Sequence, residues 1–325
     1  MAHLTRRWRE NVFTSMSTKR NDNDSYIYDY TPIHDNMKKS ISTYITAIFL
    51  AVFMLAGCTG STDSKPVITV SIQPQKYFLE KIAGDKWEIK CLLSNGANPE
   101  SYDPAMTHLL NLESSKAYFR MGNIPFESAI INKVHNNNPG LRIYNNSDGI
   151  ELITGTHSHG DIKHTDAPDP HTWTSVKNAK IIARNMLDAM NDLDPQHKET
   201  YAKNYRKVVE SLDSLDAGLD SLLASSRGKA FVVWHPSLSY FARDYGLRQI
   251  SLSPEGKEAS VNMMQTAVDS ARASGAEILF FQKEIDSRQA ETANEQIGAK
   301  LVNINPLSYN WNKEIINIAN AIARQ

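Results

Sequence analysis

Five polar side chains lie at positions where ligand sites commonly form. Three follow predicted strands directly, one lies in the loop after another strand, and one precedes a predicted helix. Imidazole, carboxylate and amide groups of this kind bind divalent metals; imidazole suits zinc, and oxygen ligands suit manganese. Taken singly, each is equally well explained as a capping residue, a solvated charge or an interior histidine. The candidates are Glu100, His171, His235, Gln282 and Asn305.

The predicted elements direct these candidates toward one cleft. His235 follows the predicted strand AFVVW, Gln282 follows EILFF, and Asn305 follows LVNI. In open parallel sheets, ligands bind beyond the carboxyl ends of the strands, so these side chains are expected to face a common space. Glu100 lies in the loop after the strand WEIKCLL, and His171 lies in APDPHTWTS, just before a predicted helix.

Alternating strand-like and helix-like segments predict an α/β fold of two lobes with mainly parallel sheets, the site lying in the cleft between them. The lobes are expected over residues 66–194 and 227–325. Between them, residues 195–226 carry an apolar stripe in steps of four and three, which predicts one linking helix roughly 45 Å long. We expect a strut packed along both lobes rather than a coiled coil, because the stripe covers only about three heptads. The stripe consists of Tyr201, Tyr205, Val208, Leu212, Leu215, Leu219 and Leu222.

The charge balance argues against a nucleic-acid partner. The 325 residues include 35 Lys and Arg against 36 Asp and Glu, and no stretch is densely basic. A nucleic-acid-binding surface needs clustered positive charge. The composition is that of a globular protein with room for two domains.

Residues 37–58 read MKKSISTYITAIFLAVFMLAGC, which has the pattern of a secretory signal: basic start, short apolar core and small residues. LAGC resembles a bacterial lipobox, which predicts a signal peptide over 37–57, lipidation of Cys58 and a lipid-anchored tether over 58–65. The alternatives are a plain signal peptide or a signal anchor. Residues 1–36 are expected to be a spurious extension from an over-long gene start. With Cys58 lipidated, Cys91 has no partner for a disulfide or a cysteine-based metal site.

The phrases DPHTW at His171 and FVVWHPSLSYFARDYGL at His235 occur in order and flank the predicted long helix. Together they resemble the metal-binding solute receptors of zinc and manganese ABC transporters, the cluster A-I family. The resemblance covers residues from about 66 to 325. It implies two α/β lobes bridged by one long helix, with a divalent metal held between the lobes.

The sequence departs from the usual family pattern at three positions. Glu100, in NPESYDP, stands where the family usually has a histidine. Asn305 stands where it often has an aspartate, and Gln282 where many relatives have a glutamate. The implied ligand shell is therefore His171, His235, Glu100 and an amide oxygen or water, with zinc as the expected metal and manganese as the alternative.

Three more histidines precede DPHTW: His157, His159 and His164. Zinc-specific members of the family often carry a histidine- and acid-rich loop at this point, which suggests that these residues collect metal. The alternative is a solvated polar linker, since composition alone identifies such segments weakly.

The resemblance implies a monomeric, lipid-anchored receptor of the bacterial cell envelope, facing the periplasm or exterior, that delivers metal to an ABC permease driven by its ATPase. No enzymatic activity is expected. The alternatives are a zinc hydrolase with Glu284 as general base, although no HExxH motif is present, and a bilobal receptor for haem or a siderophore. Some family members have been described as adhesins, so surface adhesion is a further alternative.

Overall fold

The computed structural model describes residues 19–20, 26–27, 65–93, 97–159, 162–253, 261–282 and 287–325. The chain divides into two compact units, residues 1–64 and 65–325. In the first unit, β1 (Lys19–Arg20) and β2 (Tyr26–Ile27) pair antiparallel. The predicted signal segment and Cys58 lie outside the described residues, as does the tether up to residue 64.

The second unit contains two four-stranded sheets, both entirely parallel, with helices between the strands. The predicted α/β class is therefore confirmed. The strands of the first sheet are β3 (Val67–Val70), β4 (Glu88–Cys91), β5 (Ala117–Arg120) and β6 (Arg142–Asn145). Those of the second are β9 (Ala230–Val233), β10 (Arg248–Ser251), β11 (Ile278–Gln282) and β12 (Lys300–Ile304).

The strands of both sheets are arranged in the same spatial order. The first sheet has the order β4-β3-β5-β6 and the second β10-β9-β11-β12. In each sheet the chain adds its second strand on one side of the first strand and its third strand on the other side, so the direction of winding changes between the first and third strands. Such a switch point is where open α/β sheets bind ligands. In the second sheet it lies between β9, which His235 follows, and β11, which ends at Gln282.

Helices cover the sheets and connect the lobes. They are α1 (Gln73–Ala83), α2 (Met106–Glu113), α3 (Pro125–Asn137), α4 (Val176–Leu193), α5 (Lys198–Leu223), α6 (Ser239–Tyr245), α7 (Val261–Ala273), α8 (Ser287–Ile297) and α9 (Trp311–Ala323). Ser175 caps α4 by accepting a hydrogen bond from the Asn178 amide at 2.9 Å, as its position predicts. Among the described residues, no helix has the length and hydropathy needed to cross a bilayer.

Helix α5 is the predicted linking helix. It spans 26 residues, about 39 Å at the usual rise, and packs against α1, α4 and α9. It begins later than expected because residues Pro195–His197 form a separate 3-10 turn. Within the predicted stripe Tyr201, Val208, Leu212 and Leu219 are buried, while Leu222 is exposed and Leu223 takes the buried place. The stripe therefore lies on the core side of α5 as predicted, with a shift at its carboxyl end.

The polar segment before DPHTW differs from the loop expected. Residues Thr154–His159 (β7) and Ile162–Pro168 (β8) form an antiparallel hairpin. The register places His157 opposite His164. A role in collecting metal would rest on side chains that lie outside the described part of the structure.

Candidate metal centre

Three of the five predicted ligands come together. Oε1 of Glu100 lies 3.2 Å from Nε2 of His235 and 3.9 Å from Nε2 of His171. The two imidazole Nε2 atoms are 3.2 Å apart. Of the described His, Cys, Asp and Glu residues, these form the one group of three or more whose ligand atoms all lie within 4.8 Å of one another.

These separations match the edges of a zinc coordination tetrahedron. With metal–ligand bonds of about 2.0–2.1 Å, two ligand atoms at the tetrahedral angle lie about 3.3 Å apart. Two edges of the observed triangle are 3.2 Å, and the third is 3.9 Å. The cluster can therefore accept one small cation with little movement, leaving a fourth position for water or another oxygen.

Each ligand comes from a different part of the fold. His171 precedes the 3-10 turn Thr172–Thr174, which leads into α4. His235 follows β9 at the switch point of the second sheet, and Glu100 lies in the connection from β4 to α2. The Glu100 amide donates to the side-chain oxygen of Asn98 at 2.9 Å, which shapes this connection locally. The site thus joins elements that follow the first sheet to a strand end of the second.

Burial separates these groups from bulk water. The side chains of His171 and Glu100 are 3% and 8% exposed, and that of His235 is 19% exposed. Burying a carboxylate beside two imidazoles is costly unless a cation or a network of hydrogen bonds compensates its charge. The burial therefore favours a role in binding over a solvated loop charge for Glu100.

Asp169 orients His171. Its Oδ1 lies 2.8 Å from Nδ1 of His171 and also accepts a hydrogen bond from the His171 amide at 2.9 Å. Burial pushes the pKa of the Asp169 carboxyl upward, but the hydrogen bonds with His171 outweigh this effect and lower it below the usual aspartate value. An ionised Asp169 favours the proton on Nδ1, so that Nε2 presents its lone pair to the cluster.

Replacing Asp169 with asparagine should weaken zinc binding by about 10-fold or more, since losing a carboxylate partner lowers the basicity of a ligating imidazole. Zinc affinity measured by competition with a chromophoric chelator would test this. Asparagine retains an oxygen for the Nδ1 proton, so the metal-free variant should unfold at nearly the wild-type temperature. Unchanged zinc affinity would show that the charge of Asp169 makes no contribution to zinc binding at His171.

Gln282 lies beside the cluster and holds His235 through its backbone. Its Nε2 donates to the carbonyl of His235 and to Oγ of Ser237, both at 2.8 Å. Its Oε1 accepts from the His235 amide at 3.3 Å. Both ends of the amide are therefore engaged with the chain around His235, an arrangement that differs from the ligand position expected.

Asn305 is engaged in a turn. Its side-chain Oδ1 accepts a hydrogen bond from the backbone amide of Leu307 at 3.2 Å, and its backbone amide donates to Oε1 of Glu314 at 2.8 Å. This is the capping geometry common for asparagine at the end of a strand. The structure thus brings the next two residues, Pro306 and Leu307, to the wall of the site cavity.

Two tryptophans tie the DPHTW turn to the second lobe. The Trp173 indole donates to the carbonyl of Pro306 at 3.0 Å, and the Trp311 indole donates to the carbonyl of Trp173 at 2.7 Å. The Trp173 ring lies against His171, with ring centroids 5.1 Å apart. Tyr240 adds a further link, donating to the carbonyl of Asp169 at 2.8 Å. Sequence reasoning did not assign these roles, although Asp169, Trp173 and Tyr240 all lie within the two diagnostic phrases.

The cavity at the cluster is small. It measures about 50 Å³ and is lined by Asn98, Pro99, His171, Trp173, His235, Ser237, Gln282, Pro306 and Leu307. Sites for drug-sized ligands usually measure about 300–1,000 Å³. A single ion with a water fits this space, whereas a haem or siderophore does not. Glu284, the alternative general base, lies outside the described residues.

Comparison with known proteins identifies the family of this chain. Residues 68–321 match the model of a family described as ZnuA, the periplasmic component A of a zinc-uptake complex. The high-affinity zinc uptake system protein ZnuA of Bacillus subtilis is 27% identical over 278 residues, which cover 81% of this chain and 86% of that protein.

Two further relatives extend the comparison. The zinc-binding lipoprotein AdcA of Streptococcus pneumoniae is 25% identical over 280 residues, 83% of this chain. The match spans 55% of AdcA, so this chain corresponds to about half of that protein. A crystal structure of a zinc-bound ZnuA deletion mutant is 30% identical, with a TM-score of 0.72, covering 80% of this chain and 97% of the other.

Proposed function

The chain belongs to the ZnuA family of periplasmic zinc-uptake components, and on that premise we propose that it captures Zn²⁺ outside the cytoplasm for import. The observation that carries the proposal is the convergence of Glu100, His171 and His235, whose ligand atoms lie within 4.8 Å of one another. The matched family is a component of a metal-uptake complex, which supports binding and delivery as the proposed role.

The ligand chemistry favours zinc over manganese. Two imidazoles and one carboxylate form a mixed set, and tetrahedral sites with nitrogen ligands are typical of zinc. Manganese prefers six oxygen-rich ligands. In the proposed shell His171, His235 and Glu100 bind the ion, and a water fills the fourth position. Since their amides are engaged with the backbone, Gln282 is assigned to positioning His235 and Asn305 to shaping the turn at Pro306.

The fold suggests how metal would be held and passed on. The cluster lies where the two lobes meet, and α5 packs against helices from both, which would limit hinge motion. Capture would therefore need only small movements around Glu100 and His235. Release would follow docking on an ABC permease driven by its ATPase. The protein would act as a monomer, tethered to the membrane through a lipid on Cys58 after removal of the signal peptide 37–57. The two lobes (66–194 and 227–325) and the linker (195–226) would then lie in the periplasm or at the cell exterior.

Changing Glu100 to glutamine tests the ligand assignment, because it removes the charge while keeping the size. We expect the zinc dissociation constant to rise by about 10-fold or more, since a buried carboxylate on a dication is a strong, charge-assisted contact. The matched control is Asp103→Asn, which removes an exposed charge three residues along the same connection.

Measuring the dissociation constants of both zinc and manganese by titration decides which metal the protein prefers. We expect the wild type to bind zinc more tightly than manganese. Zinc affinity should fall in Glu100→Gln and stay unchanged in Asp103→Asn. Tighter manganese binding would make the chain a manganese receptor with the same site. Equal zinc affinity in wild type and Glu100→Gln would exclude Glu100 from the shell.

A further inference from the structure

A second cavity lies away from the metal cluster, between α1, α5 and α9. It measures about 280 Å³, and none of its lining residues also lines the cavity at the metal site. Because α1 belongs to the first lobe, α9 to the second and α5 to the link between them, an occupant would contact all three parts of the fold.

The floor of this cavity is apolar. Phe78 of α1, Val208 and Leu212 of α5 and Trp311 of α9 line it, and each is at most 6% exposed. On α5 the two floor residues are four apart, so they lie on one face of the helix. The rings of Phe78 and Trp311 meet edge to face, with centroids 4.8 Å apart. Such a floor suits a flat or branched apolar body.

The rim is cationic. Lys81 and Lys207 line the opening, both are exposed, and the lining contains no Asp or Glu. The Lys81 ammonium lies 4.6 Å from the centroid of the Tyr77 ring, which holds its charge at the rim. The first two residues of α9, Trp311 and Asn312, also line the cavity, so the positive end of that helix dipole lies beside it.

We propose that this cavity binds a small organic anion, an amphipathic carboxylate or sulfonate whose apolar body rests on Phe78, Leu212 and Trp311. The acidic group would lie between Lys81 and Lys207. The volume is near the lower end of the range for small-molecule sites, about 300 Å³, and suits one or two rings or a short acyl chain. None of the residues proposed to hold the anion belongs to the metal cluster.

The experiment uses the full chain and the fluorescent anion 8-anilinonaphthalene-1-sulfonate, with uncharged N-phenyl-1-naphthylamine as the matched neutral probe. Saturable binding of the anion at one site per chain is expected. Lys81→Gln with Lys207→Gln should weaken it about 5-fold or more, because two favourable charge contacts are lost. The neutral probe should be affected much less.

Two controls make the result specific. Lys198→Gln with Lys203→Gln removes the same charge from exposed positions of α5 outside the lining, and it should leave anion binding unchanged. Ser211→Trp places a large side chain at the exposed rim and should block the anion, while the unfolding temperature reports that the fold is kept. Equal anion affinity in wild type and the Lys81/Lys207 variant, or binding retained in a folded Ser211→Trp protein, would overturn the proposal.

Discussion

Replacing His171 with alanine should lower zinc affinity by about 100-fold or more, because loss of a direct ligand exceeds the 10–100-fold typical of outer-shell changes. His171 as a whole residue is 2% exposed, and its side chain is hydrogen-bonded to Asp169, so the imidazole is already oriented before the metal binds. The rise in unfolding temperature that zinc produces in wild type should be lost with it, since stabilisation depends on affinity for the folded state.

His197→Ala is the matched control for this experiment. His197 also lies 2.8 Å from an aspartate, Asp194, but it stands in the 3-10 turn just before α5, outside the cluster. It therefore removes a similar His–Asp contact without removing a ligand. Equal losses of zinc affinity in the two variants would show that the effect at His171 is general destabilisation, and an unchanged affinity in His171→Ala would exclude it as a ligand.

Replacing Trp311 with alanine should lower the free energy of unfolding by about 3–5 kcal/mol, the usual cost of removing a large aromatic side chain from a core. Trp311 is 1% exposed, packs on Phe78 across the lobes, and donates to the carbonyl of Trp173. Its loss would leave a cavity and would remove the hydrogen bond to the Trp173 carbonyl within the DPHTW turn. Chemical denaturation of the metal-free protein measures the change.

Ile316→Ala is the control on the same helix. Ile316 is 38% exposed, so its truncation should cost less than about 1 kcal/mol. A Trp311→Ala protein as stable as Ile316→Ala would contradict the account of α9 as a helix that braces the two lobes.

The parts of the fold that could be predicted depend on local pattern. The apolar stripe from Tyr201 to Leu219 repeats with the period of a helix, and the structure places α5 there. Ser175 has the side chain that caps a helix, and it does so. Strand ends could likewise be read from the apolar runs before His235 and Gln282, since parallel strands place their carboxyl ends at one edge.

The parts that could not be predicted depend on contacts between distant segments. The side-chain amide of Gln282 could equally bind a metal or form hydrogen bonds with the backbone. It bonds the backbone of His235 because β11 lies next to β9, a pairing that the sequence does not reveal. The hairpin of β7 and β8 has a polar sequence without the apolar alternation that marks most strands. The bond from Trp311 to Trp173 joins residues 138 positions apart, which no local pattern records.

We propose that one zinc ion binds at Glu100, His171 and His235. The most direct measurement is elemental analysis of the full chain after incubation with equal zinc and manganese and removal of unbound metal. We expect one zinc per chain in wild type and none in His171→Ala combined with His235→Ala. A wild-type protein that retains no zinc, or a double variant that retains as much as wild type, would contradict it.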